Sequence, residues 1–348
     1  MSAVKRDTGY DLIRIISIFL VVCIHSNVVV LGVGQVSPYW CAIALLQPLI
    51  LTAVPLFFMV SGALLLSQKK EESISDHLKN RVGKQLVPFL VWSVVYIVAK
   101  AVISGTGLSV SSFTGIIEEP AYYQFWFMYP LLGIYLLLPL LKPIVKICDK
   151  KKIEYFLVLN FIFSYAVPVF SKYVLKSEVS PHIDLVLCEG YLGYFVLGYY
   201  LKEYHREVKL SKATALLLIG AVLTIAVAVR ECYLVYQTGA GYMGHAYLTY
   251  MTPRFVLMCA GIFLLLQNKK YNLKEKSTNA LTTISVLSIG VYYIHMLVLT
   301  VIEKIGFAGE SNPLILVGKI IATYTASLIG ALIISKIPVV RKILLGVK

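Results

Sequence analysis

The residues with most chemistry to offer stand inside apolar runs. Arg14 and His25 lie in the first of them, eleven residues apart. At about 100° per residue this spacing closes roughly 20° beyond three helical turns, so both side chains share one face, about 16 Å apart along the axis. An ionisable group within a membrane span is costly and by default marks a site. Histidine titrates near neutral pH and acts as a general base or a nucleophile. Arginine brings a permanent charge suited to phosphate. The same residues also have quieter uses, an arginine snorkelling to the interface and a buried imidazole bonding a neighbouring helix. A second histidine, His295, completes a polar stripe in a late apolar run, where Ser288, Tyr292 and His295 recur at spacings of four and three.

The elements that must position these groups follow from composition. Of 348 residues, 58% are hydrophobic and only 14% charged, and mean hydropathy is +0.79. A soluble chain carries about 25% charged residues, so lipid is the main solvent of this one. The net charge of +14 comes from short basic loops between apolar runs. That pattern reads as membrane orientation, and no nucleic-acid partner is expected. Six scattered cysteines, Cys23, Cys41, Cys148, Cys188, Cys232 and Cys259, include no CxxC pair and read as small hydrophobes, with neither a disulfide framework nor a metal site expected. Lys5 and Arg6 precede a full-length apolar run without a convincing cleavage site, so that run is expected to be a retained helix.

About 20 apolar residues cross a bilayer. Ten runs qualify, at 12–31, 40–66, 86–103, 125–147, 153–170, 183–201, 213–236, 252–267, 281–302 and 314–337, giving an all-α polytopic fold with one membrane-embedded domain over 1–348. Alternate loops are basic: Lys5 and Arg6; Lys69, Lys70, Lys79, Arg81 and Lys84; Lys150, Lys151 and Lys152; Lys202, Arg206, Lys209 and Lys212; Lys269, Lys270, Lys274 and Lys276; Arg341, Lys342 and Lys348. The other loops hold only Lys172, Lys176 and Lys304. The alternation predicts ten helices with both termini in the cytoplasm.

In that arrangement Arg14 sits near the inner surface, while His25 and His295, each about 13 residues into an outward-running helix, share one depth. Asp184, Glu189, Arg230, Glu231, Arg254 and Lys319 fall in the outer half, and Trp126 opens the fourth helix after Tyr122 and Tyr123. Trp126 and the tyrosines also suit an interfacial belt, and the charges a structural ion-pair network. The pattern predicts a polar cavity holding an imidazole, above a basic inner face suited to an anionic, phosphate-bearing ligand.

Several ordered motifs carry a resemblance. Tyr10–Arg14 followed by ten residues and His25, the stretch Pro55–Gly62 ending in Ser61-Gly62, the basic, proline-ended Arg81–Pro88, Phe125-Trp126-Phe127-Met128, Gly193–Leu201 and Ile289–His295 together resemble the acyltransferase 3 family of membrane acyltransferases, along nearly the whole chain. The resemblance implies transfer of an acyl group, usually acetyl from acetyl-CoA, to a hydroxyl of a sugar or related acceptor of the cell envelope, in the bacterial cytoplasmic membrane. It implies His25 as the essential histidine and Arg14 as its partner. Arg81 would touch the CoA phosphates or hold the cytoplasmic loop, and His295, Trp126, Ser61 and Tyr292 match further positions. Glu189 is a candidate for orienting an imidazole or binding a sugar hydroxyl. No metal is expected. Some relatives carry a fused extracytoplasmic esterase-like domain, which this sequence is not expected to have. His25 would serve as base or as acyl-accepting residue. The competing class is a transporter or exporter of a polysaccharide intermediate or small polar solute, because intramembrane charges and paired histidines also suit a proton-coupled carrier.

Overall fold

The computed structural model describes residues 7–32, 36–68, 72–105, 107–176, 190–239, 249–307, 309 and 312–347. Among them every regular element is helical. Eight helices are long and apolar enough to cross a bilayer: α1 Thr8–Gly32, α2 Pro38–Leu65, α3 Ile74–Ser104, α4 Tyr123–Ile147, α5 Lys150–Leu175, α7 Leu210–Thr238, α9 Glu275–Lys304 and α10 Pro313–Ser335. Between them stand α6 Gly190–Tyr204 and the short apolar α8 Pro253–Asn268. These two correspond to the predicted runs 183–201 and 252–267. The stretch 183–189, with Asp184 and Glu189, lies outside the described residues.

Three local features depart from the apolar runs. The second run is a helix with a break at Leu51–Thr52. Pro55 has no N–H to offer the Leu51 carbonyl, and the Thr52 hydroxyl bonds the Leu49 carbonyl at 2.9 Å. The third run begins twelve residues early, so Arg81–Pro88 is helix and not loop. Ser73 caps its start by accepting from the Asp76 N–H, and a wide π-helical turn covers Leu78–Val82. This polar extension has no apolar signature to read. Finally, α11, Pro338–Leu345, follows the last run as a short helix.

The bundle is organised around α1, which packs on α9, α2, α8 and α10. Two glycines allow the close crossing of α2 and α6. A Cβ on Gly62 would lie 1.7 Å from the Phe195 carbonyl oxygen, and one on Gly198 would lie 1.9 Å from that of Met59. Only glycine lets α2 and α6 meet backbone to backbone. The outward faces of α7 and α10 expose Leu218, Val222, Val229, Ile321, Ile329 and Ile333, the surface expected of a chain solvated by hydrocarbon.

Candidate active site

α1 and α9 bring the two predicted histidines together. Near the Arg14 end their register is tied by Thr282, whose hydroxyl donates to Asp11 Oδ2 at 3.0 Å. Further along, the His25 and His295 rings lie with centroids 5.2 Å apart and planes tilted by 34°. His295 Nδ1 is 3.0 Å from the Val291 carbonyl. A carbonyl only accepts, so Nδ1 carries the proton and Nε2 presents a lone pair. That Nε2 and His25 Nδ1 are both buried without a hydrogen-bond partner among the described residues. Tyr123 meets His25 edge-on, with centroids 5.0 Å apart.

His25 borders a cavity of about 290 Å³ that also reaches Arg14. Since the two residues are roughly 16 Å apart along α1, the cavity runs along the bundle and not across it. Ser61, Trp126 and Tyr292 line it too. Each is placed by a neighbour. Gly62 holds α2 against α6 and so fixes Ser61 beside it. Trp126 stacks on Tyr250, with centroids 5.9 Å apart and planes 21° apart. The Tyr292 hydroxyl donates to the Gln124 carbonyl at 2.9 Å. At the Arg14 end, the wall is completed by Gln85, Ser285 and the segment Leu345, Gly346 and Val347. That segment is anchored by Trp92, whose indole N–H donates to the Leu344 carbonyl at 2.9 Å. Gly346 takes φ +65°, and a Cβ there would lie 1.9 Å from the Lys84 carbonyl oxygen.

The other predicted residues fall elsewhere. Arg81 is not part of the cavity wall. It grips Glu72 with both arms, Nε to Oε2 and Nη2 to Oε1, each at 2.7 Å, and reaches Gln68 Oε1 at 2.5 Å. The guanidinium holds the Glu72 carboxyl below its usual range. Glu189 lies outside the described residues. Lys319, wholly buried, pairs with Glu303 at 3.0 Å, and Arg230 pairs with Glu231 at 2.6 Å. These outer charges are ion pairs between or within helices. Sequence reasoning missed Gln124, Tyr135, Tyr250 and Leu345–Val347 as lining groups. Gln124 directly precedes the Phe125–Met128 motif, a signal that was available. The others carry none.

The helices define a multi-pass membrane protein, and the site is an elongated cavity that joins Arg14 to the His25 imidazole; His295 packs on His25 but does not line the cavity. A family model described as an acyltransferase domain matches residues 7–335, and the chain belongs to that family of membrane acyltransferases, the acyltransferase 3 family. No curated protein and no solved structure matches it.

Proposed function

We propose that this acyltransferase moves an acyl group, usually acetyl, from acyl-CoA to a hydroxyl of a cell-envelope sugar or related acceptor, in the bacterial cytoplasmic membrane. The observation that supports this reading best is the single cavity shared by Arg14 and His25. With ten spans and both termini in the cytoplasm, the Arg14 end of the cavity faces the cytoplasm, where acyl-CoA is. The acyl arm enters past Arg14, and the thioester meets His25. The acceptor oxygen attacks the thioester carbonyl while neutral His25 takes the hydroxyl proton. The C–S bond then breaks, and the proton passes to the leaving thiolate. A two-step route, in which His25 first accepts the acyl group, uses the same placement. Arg81, paired with Glu72 near the same end, supports the loop and not the donor directly.

The test is calorimetric binding of acetyl-CoA to the purified protein in nanodiscs, beside Arg14→Ala and His25→Ala. Specific binding that weakens in Arg14→Ala and persists in His25→Ala supports the reading. No binding of any acyl-CoA to folded protein favours the carrier.

A further inference from the structure

A second groove, of about 320 Å³, opens between α5, α6 and α8. Its apolar walls are Leu157, Val158 and Phe161 of α5, Leu197 of α6 and Val256 of α8. Val158 is 54% exposed, so the groove opens to the outer surface of the bundle, where the solvent is hydrocarbon. Along α5 it reaches from Glu154 to Tyr165. Those eleven residues rise about 16 Å, roughly half the thickness of a hydrocarbon core. α5 and α6 close its floor by direct contact, since a Cβ on Gly193 would lie 1.8 Å from Asn160 Oδ1.

The Glu154 end is polar. The Tyr200 hydroxyl donates to Glu154 Oε1 at 2.6 Å, and His205 Nε2 lies 2.9 Å from the same hydroxyl. A hydroxyl has one proton to give, so this one accepts from His205 Nε2–H. Tyr200 belongs to the groove, whereas His205 lines a second cleft with Tyr204, Glu207, Lys209 and Lys212. The hydrogen bond thus joins an apolar groove to a charged cleft. Lys150 offsets Glu154 at 3.6 Å, and Glu207 offsets one of the two cleft lysines. Burial holds the His205 pKa below its ordinary value, so its ring is neutral near pH 7. The cleft therefore keeps a net positive charge.

We propose that groove and cleft form one binding site for an anionic phospholipid of the leaflet next to Lys150, Lys151 and Lys152. One acyl chain lies in the groove, and the phosphate sits in the cleft of Lys209 and Lys212. The groove alone would accept any lipid chain. The lysines select the headgroup, because each lysine at a membrane surface adds attraction for negative lipid. A soluble phosphate would use the cleft and leave the groove unfilled. Groove and cleft share no lining residue with the cavity of Arg14 and His25, so lipid binding there is independent of the acyl-CoA reading.

Native mass spectrometry of the full-length protein in detergent tests this, with phosphatidylglycerol, phosphatidylethanolamine or inorganic phosphate added. Wild type is compared with Lys209→Gln/Lys212→Gln, Leu197→Trp and Val158→Trp, each checked for an unchanged thermal midpoint. Wild type should retain phosphatidylglycerol more tightly than phosphatidylethanolamine with the same chains. The double lysine variant should lose that preference, at roughly fivefold in Kd for each charge removed, and bind phosphatidylethanolamine as before. A tryptophan in the groove should weaken both lipids. Leu197→Trp fills it from within, and Val158→Trp, at the exposed mouth, serves where Leu197→Trp unfolds. Equal retention of the two lipids by wild type overturns the proposal, as does unchanged phosphatidylglycerol binding in the lysine variant or in both tryptophan variants. Displacement of phosphatidylglycerol by inorganic phosphate makes the cleft a site for soluble anions and overturns it as well.

Discussion

His25 and His295 stand ring beside ring, 5.2 Å between centroids, although they come from opposite ends of the sequence. The contact joins the first helix of the bundle to the ninth, and His295 turns its protonated nitrogen to its own helix. His25 lines the cavity, and His295, wholly buried, packs on its ring without lining the cavity itself.

If His295 tunes His25, replacing it with phenylalanine keeps the packing and removes the nitrogen. His295→Phe should lower kcat by about 10- to 100-fold, below the full effect of losing a general base, with acetyl-CoA affinity unchanged. Steady-state kinetics alongside calorimetric binding separates the two effects. An unchanged kcat would reduce His295 to a packing role.

The wall segment after α10 is held by a left-handed glycine. Gly346→Val both strains φ at +65° and drives a side chain into the Lys84 carbonyl. The variant should raise KM for acetyl-CoA by about tenfold or more while kcat at saturation changes little, because His25 lies away from the Arg14 end. Deleting residues 338–348 should reproduce the KM effect. A large loss of kcat at unchanged KM would contradict this placement.

Lys319 and Glu303 form a pair in which the lysine side chain is fully buried and the carboxylate retains some exposure. Glu303→Gln removes the carboxylate that pairs with a buried charge and should destabilise the protein toward the lower end of about 3–5 kcal/mol, the usual cost of breaking a buried pair. Adding Lys319→Met should recover most of that loss. Thermal unfolding in detergent reads both, and a double variant no better than the single would show that the charge on Lys319 is not what the pair neutralises.

Outside the spans, the Arg81–Glu72 pair carries a pH dependence. The folded carboxyl titrates below its ordinary value of 4.5. Its contribution is therefore fully present above 4.5 and disappears as pH falls through the lower, folded value. Wild type and Glu72→Gln should differ in thermal midpoint at neutral pH and converge at strongly acidic pH. Curves that stay parallel would remove the pair from the stability of this end.

Much of this was legible in the chain. Among the described residues the apolar runs mark where the helices lie, eight of them long enough to cross a bilayer, and the eleven-residue spacing of Arg14 and His25 puts both on the wall of one cavity. Sequence spacing put His295 and His25 only at a similar depth, and their ring contact needed the α1–α9 packing to be seen. The break at Leu51–Thr52 and the helical extension before Val82 were not readable, because hydropathy reports solvent and not backbone hydrogen bonding. Leu345–Val347 reach the cavity through contacts remote in sequence. The Arg81 motif left a phosphate contact and a loop anchor both open, and its pairing with Glu72, nine residues earlier, was not readable from it.

The most direct test of the central claim is transfer itself. Membranes holding wild type or His25→Asn at equal amounts are given radiolabelled acetyl-CoA at the face bearing Lys150, Lys151 and Lys152, and label in envelope material is counted. Wild type should incorporate label and His25→Asn should give background counts, at equal acetyl-CoA binding. Wild-type incorporation by His25→Asn would contradict it.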